Sequence, residues 1–236
     1  MKLTITSLTF VFLELLSTAI VPAQTANKYG LNVISSYDIY KYNILADSSK
    51  ALLEIKKVIP TIVLDIKYAT TDNFVHEAVY KTLAAFARKP VVDALIKVQS
   101  ELARQGQGLK IWDAYRPYSV TVDFWDETHD SGFVSVPWKG SRHNRGCAVD
   151  LTLVDLTSGK ELDMPTHFDD FTDKAFPNYT KLTERQIANR SMLINIMTKY
   201  GFTVYPSEWW HYDFHGWEDY ELMDISFEEL LTNRNK

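Results

Sequence analysis

Apolar residues change their spacing along the chain, and each change predicts an element. Thr61–Tyr68 (TIVLDIKY) is β-branched and alternating, which predicts a strand. Val91, Ala94, Leu95, Val98 and Leu102 recur at the three- and four-residue intervals of one helix face, and Gly106 and Gly108 end that helix. Leu109–Ala114 (LKIWDA) is a second predicted strand. Pro117 suits the first position of a helix, where its missing N–H would have had no intrahelical partner; that helix is expected to run to about Glu127. Residues 130–141 contain Gly132, Pro137 and Gly140 and form a loop, and Cys147–Leu153 (CAVDLTL) is a strand. Thr183 with Gln186 makes a capping box that opens a helix ending at Gly201. Phe202–Tyr205 and Trp210–Phe214 then read as the arms of a β-hairpin. Residues 24–50 are polar and mixed and are expected to wrap the surface. Strands and helices mix without regular alternation, which favours an α+β fold with a central antiparallel sheet flanked by helices.

Composition narrows the partners. Of 236 residues, 46% are apolar and 23% charged, enough for one domain with a core that needs no cross-links. The net charge is −5 and there is no basic run, which argues against nucleic acid as a partner, because phosphate binding needs clustered cations. The single cysteine, Cys147, permits no intramolecular disulfide and no cysteine-rich zinc site, so any metal must use histidine and carboxylate. Six tryptophans, many near the motifs below, fit either an aromatic-walled cleft or a core. Met1-Lys2, the apolar stretch Leu3–Val21 and the small residues of Val21-Pro22-Ala23 read as a signal peptide over residues 1–23, leaving a single domain over 24–236 and implying export to the periplasm or medium. Glu14 within that stretch argues against a permanent anchor, and no other segment is long and apolar enough to span a bilayer.

Two segments carry candidate chemistry. In Ser141–Asp150 (SRHNRGCAVD), strand parity puts Cys147, Val149, Leu151 and Leu153 on one apolar face, and Ala148, Asp150 and Thr152 on the other. Gly146 can take a positive φ, so the turn Asn144-Arg145-Gly146 can fold His143 back beside Asp150. In Glu208-Trp209-Trp210-His211, the histidine faces away from the row Trp210, Tyr212, Phe214, and Glu208 is placed on the turn before it. His143, Asp150 and His211 supply three protein ligands and leave a fourth position for water, whose proton a nearby non-ligand Glu208 can take. His211, Asp213 and His215, which share one strand face, are a rival set.

These residues resemble a known family. SRHNRGCAVDLTL matches an S-x-H-x-x-G-x-A-x-D signature and EWWH an E-x-W-H signature of the zinc D-Ala-D-Ala dipeptidases related to VanX, in the peptidase M15 group. Asp65–Tyr80 resembles the family's N-terminal block and Asp113–Pro117 (DAYRP) its arginine block, so the likeness runs from about Val58 to Phe214. The resemblance implies a Hedgehog/D,D-peptidase-like fold and one Zn2+ held by His143, Asp150 and His211. It further implies Glu208 as catalytic base, Arg116 as the residue that stabilises the transition state, and Ser141 and Asp169 near the substrate. The implied reaction is hydrolysis of D-alanyl-D-alanine to two D-alanines. His76 and Pro165 stand where the family usually has glycine. The alternatives are a D,D-carboxypeptidase or endopeptidase acting on peptidoglycan stem peptides, and a non-catalytic zinc-containing binding module. The Asp65–Tyr80 block favours the dipeptidase, and the joint presence of Glu208 and Arg116 speaks against a purely structural metal.

If residues 1–23 direct export, N-terminal sequencing of the native protein should begin near Gln24 in an extracytoplasmic fraction; an intact Met1 on cytoplasmic material would refute this.

Overall fold

A computed structural model describes residues 25–132 and 134–233; the expected signal peptide lies outside them. Among the described residues, nine strands and six α-helices follow in the order β1 (Val33–Ile34), α1 (Tyr37–Ala46), β2 (Leu52–Glu54), α2 (Ile55–Val58), β3 (Val63–Leu64), β4 (Phe86–Arg88), α3 (Lys89–Ala103), β5 (Gln107–Asp113), α4 (Tyr118–Thr128), β6 (Ala148–Asp155), α5 (Glu184–Lys199), β7 (Phe202–Tyr205), β8 (Glu208–Phe214), β9 (Leu222–Met223) and α6 (Phe227–Thr232). The main sheet has the order β3-β5-β6-β8-β7 and is antiparallel except at its edge, where β3 runs parallel to β5. Two small pairs flank it, β2 with β4 antiparallel and β1 with β9 parallel. The fold is thus α+β, with α3 packed on β5 and α5 packed on β6, β7 and β8. No helix among the described residues is long and apolar enough to cross a membrane.

The alternating apolar positions of β6 bury Val149, Leu151 and Leu153 completely, and Cys147 just before it is equally buried. Its other face is covered as well, with Ala148, Asp150 and Thr152 all buried. The cover is the 164–171 segment: Trp209 Nε1 donates to Thr166 Oγ1 at 2.8 Å, and the Phe168 ring lies 5.2 Å from that of Trp112. The predicted capping box at Thr183 is present, with Gln186 N–H donating to Thr183 Oγ1, and Gly201 turns the chain at φ +91°.

Four expectations shift in detail. The strand expected over Thr61–Tyr68 is only Val63–Leu64, because this edge strand has one neighbour and the chain then curls into a 3-10 turn, Lys67–Ala69, that buries Tyr68. Gly108 belongs to β5; a Cβ there would come within 2.7 Å of Leu156 Cδ2, so this glycine serves close packing and Gly106, at φ +71°, makes the turn. Glu208 opens β8, opposite Tyr205, instead of preceding the strand. The 25–50 segment does more than wrap the surface: β1 pairs with β9, and Ile34 and Tyr40 are buried.

Gly146 has φ +69°, and a Cβ there would sit 2.6 Å from Leu52 Cδ2. Gly146→Ala is therefore expected to cost about 1–3 kcal/mol, from a left-handed non-glycine backbone plus that contact. A lowered urea midpoint at unchanged m-value is the readout.

Candidate active site

Two strands and one turn bring the predicted residues together. Asp150 on β6 is directly opposite His211 on β8. His143 is delivered by a 3-10 turn, His143–Arg145, that Gly146 closes. Asn144 locks that turn: its Oδ1 accepts from Ser141 N–H at 2.7 Å, and its Nδ2 donates to Arg116 O at 2.9 Å and Thr121 Oγ1 at 2.8 Å. His143 Nε2 comes 3.3 Å from Asp150 Oδ2, and His211 Nδ1 3.1 Å from Asp150 Oδ1. All three residues are buried, and their donor atoms lie within 4.8 Å of one another.

The outer ring nitrogens decide what this trio can hold. His143 Nδ1 is 2.7 Å from Ala114 O, and a carbonyl can only accept, so Nδ1 carries the proton. His211 Nε2 is 2.9 Å from Asp213 Oδ1 and likewise donates outward. The inner nitrogens, 3.2 Å apart, are then lone-pair donors facing a carboxylate. Asp150 Oδ1 is buried and accepts no hydrogen bond. Three electron-rich groups this close require a cation between them, so the trio fits a metal ion with nitrogen and oxygen preferences. Without a metal, a proton meets the same need. Burial opposes a charged His211, yet the Asp150 and Asp213 carboxylates raise its pKa well above the usual imidazole range. Burial also opposes a charged Asp150, yet the two histidines hold it well below the usual carboxylate range.

The rival set does not assemble. Asp213 sits behind His211, and His215 is exposed with its Nε2 2.9 Å from Thr203 Oγ1.

The trio opens on a cleft of about 500 Å³ that every predicted site residue lines: Arg116, Ser141, His143, Asp150, Asp169, Glu208 and His211. Glu208 is partly buried, with Oε2 3.6 Å from His211 Nδ1; burial raises its pKa, and the Asp150 charge adds to the effect. Arg116 is buried, donates from Nε and Nη2 to Asp113 Oδ2 at 3.0 and 2.7 Å, and lies 5.2 and 4.9 Å from the Tyr68 and Phe124 ring centres. Ser141 Oγ accepts from His143 N–H at 3.2 Å. Asp169 Oδ2 accepts from Tyr68 OH at 3.0 Å, and burial pushes its carboxyl well above the ordinary range. Asp169 and His76 both have a positive φ, +55° and +57°. A left-handed backbone at His76 is the physical reason a glycine suits that position. Trp210 and Trp217 wall the cleft, as the sequence allowed, whereas Trp112 and Trp209 are core.

Three residues of the site were missed in sequence. Asp113 takes both Arg116 donors and, on Oδ1, Tyr80 OH at 2.9 Å. Tyr68 holds Asp169, and Asn144 locks the histidine turn. Asp113 had a signal, a carboxylate at the end of a strand three residues before a candidate arginine; Tyr68 had none, because Asp169 is distant in sequence, and for Asn144 only the Ser141 contact is local, Arg116 and Thr121 being far away in the chain.

A buried two-histidine, one-aspartate trio beside a glutamate and an arginine, set in a cleft on an α+β sheet, is the framework of a metal-dependent peptidase. Comparison with known proteins agrees. The peptidase M15 family model, described as D-ala-D-ala dipeptidase, matches residues 48–227. The D-alanyl-D-alanine dipeptidase of Escherichia coli K12 is 33% identical over 181 residues, 77% of this chain and 93% of that protein. The one from Enterococcus faecium is 32% identical over 168 residues, 63% of this chain and 83% of that protein. A solved D,D-dipeptidase, VanXYg in complex with a D-Ala-D-Ala phosphinate analogue, overlaps at 14% identity and a TM-score of 0.38, covering 78% of this chain and 71% of that one, which is too loose to bear on function. The chain belongs to the peptidase M15 family and is a hydrolytic enzyme.

Cys147 lies inside the histidine motif but is buried, and burial pushes its thiol up to about 12. Native protein at pH 8 should therefore react negligibly with iodoacetamide, while urea-unfolded protein should take one equivalent; mass spectrometry distinguishes the two.

Proposed function

We propose that this protein is an exported zinc dipeptidase that hydrolyses D-alanyl-D-alanine to two D-alanines. The observation that carries the reading is the placement of Glu208 and Arg116 in one cleft with a trio whose lone pairs converge. The D-alanyl-D-alanine dipeptidases among its relatives support the substrate, and the apolar Leu3–Val21 stretch supports export.

In this reading His143, Asp150 and His211 hold the zinc. When bound, zinc supplies Lewis acidity, polarising the scissile carbonyl and acidifying the attacking water to a pKa of about 7. Glu208 takes the proton of that water and returns it to the leaving amine. Burial raises its carboxyl, which makes it a stronger base for taking that proton than an exposed glutamate. Arg116 donates to the oxygen on which negative charge develops; losing such a donor typically costs about 3–4 kcal/mol of barrier. Asp113 and the Tyr68 and Phe124 rings fix its guanidinium, so little reorganisation is needed during the reaction. Asp169 and Ser141 are the candidate contacts to the rest of the substrate. A cleft of about 500 Å³ is roomy for a dipeptide, which keeps D,D-carboxypeptidase action on stem peptides as the second reading. Incubating the protein with D-Ala-D-Ala, L-Ala-L-Ala and a muramyl pentapeptide, and following free D-alanine, separates the two.

Glu208→Gln keeps size and removes the proton acceptor. Zinc content should stay near one per chain while turnover falls by roughly 10²–10⁴-fold or more. Loss of zinc would make Glu208 a ligand, and full activity would place the base elsewhere. His143→Ala, Asp150→Ala and His211→Ala should each strip the metal in elemental analysis, whereas His215→Ala should leave it in place.

A further inference from the structure

The cleft carries a cation that neither the fold nor the chemistry above uses. Arg142 lies between Ser141 and His143, on the turn that delivers the histidine. Its guanidinium carbon is 4.7 Å from the Trp217 ring centre and 5.8 Å from that of Tyr205. Its Nε is 3.6 Å from Asp213 Oδ2, and among the described residues the guanidinium donates no hydrogen bond. Arg145 is different: it shares the Trp217 ring at 5.4 Å but donates Nη1 to the Tyr220 carbonyl. So Trp217 takes a guanidinium from each arginine, and among the described residues that of Arg142 donates no hydrogen bond.

Those free donors belong to the cleft. Arg142 lines it together with the trio and Glu208, and its side chain stays 37% exposed. Two aromatic contacts and the Asp213 ion pair hold the guanidinium before any ligand arrives, which lowers the entropy lost when it grips an anion. Asp213 Oδ1 is committed to His211, and the ion pair involves the Nε edge, leaving both Nη groups for a ligand. A planar fork of paired N–H donors matches a carboxylate in shape and charge. The cleft also has a polarity. Asp169 is tied through Tyr68 toward Arg116, whereas Arg142 is tied through Asp213 to the outer nitrogen of His211. An acidic group and a cation of the cleft are thus tied to different members of the site.

We infer that Arg142 receives the free C-terminal carboxylate of the substrate and thereby restricts the enzyme to peptides cleaved one residue from that carboxylate. The inference rests on the peptidase reading above and narrows its substrate class, and it disfavours endopeptidase action.

The test compares D-Ala-D-Ala with its C-terminal amide, using wild type, Arg142→Met, which keeps an unbranched chain against Trp217 and Tyr205, and Arg142→Lys. Wild type should prefer the acid by about 10–100-fold in kcat/KM, the range of a charge-assisted hydrogen-bonded pair. In Arg142→Met that preference should collapse toward unity through KM for the acid, and in Arg142→Lys it should fall part-way, with zinc content and Tm unchanged. Calorimetry of both ligands on Glu208→Gln protein, with and without Arg142→Met, reads the same preference as Kd without turnover. Equal losses for acid and amide, or an acid preference that survives in Arg142→Met, would overturn the inference. A wild type that turns over neither ligand would refute the dipeptidase reading instead, and the calorimetric arm would still decide whether Arg142 binds the carboxylate.

Discussion

The antiparallel register of β6 and β8 is the constraint on which the site depends. It sets Asp150 directly across from His211, with Val149 opposite Tyr212 in the neighbouring pair. Opposing side chains in such a ladder are close enough to bind one ion together. A slip of one residue would move Asp150 to the other face and bring Trp210 or Tyr212 across from it. Burial of Val149, Leu151 and Tyr212 resists that slip, so the apolar positions of these strands place the polar ones.

A second short segment, Asp113–Arg116, serves the site three times. Ala114 O fixes the tautomer of His143, Asp113 grips Arg116, and Arg116 N–H donates to His143 O at 3.1 Å. Buried charges are costly unless they are paired and hydrogen-bonded, and Arg116 and His211 both are. Asp113 satisfies Arg116 and Tyr80, and Asp213 satisfies His211. Asp213 thereby orients the His211 ring, as outer contacts do at metal sites. A loss at Asp113 would be felt by the histidine and the arginine alike.

The carboxylates of the cleft are driven apart by their surroundings. Asp150, between two histidines, is held in its charged form, whereas burial raises both Glu208 and Asp169, and the Asp150 charge raises them further. Carboxylates lining one cleft thus differ in how readily they hold a proton, a division made by packing and not by residue type.

Much of this was legible in the chain. Residue spacing located α3, α5 and β6, and the capping box at Thr183 was read from two residues, because local hydrogen bonds need only local sequence. Parity separated Asp150 from the apolar face, Gly146 announced the turn after His143, and the four motifs hold six of the seven predicted site residues, Asp169 lying outside them. The chain could not choose between His143 and His215 as partner of His211, since spacing favours the near one and only the β6–β8 pairing brings in the far one. Nor could it show that β6 is covered on both faces, that β3 is two residues long, or that Tyr68 lies against Asp169. These depend on what packs across space from segments far away in sequence. Periodicity records which residues avoid water, but tertiary contact alone decides which of them meet.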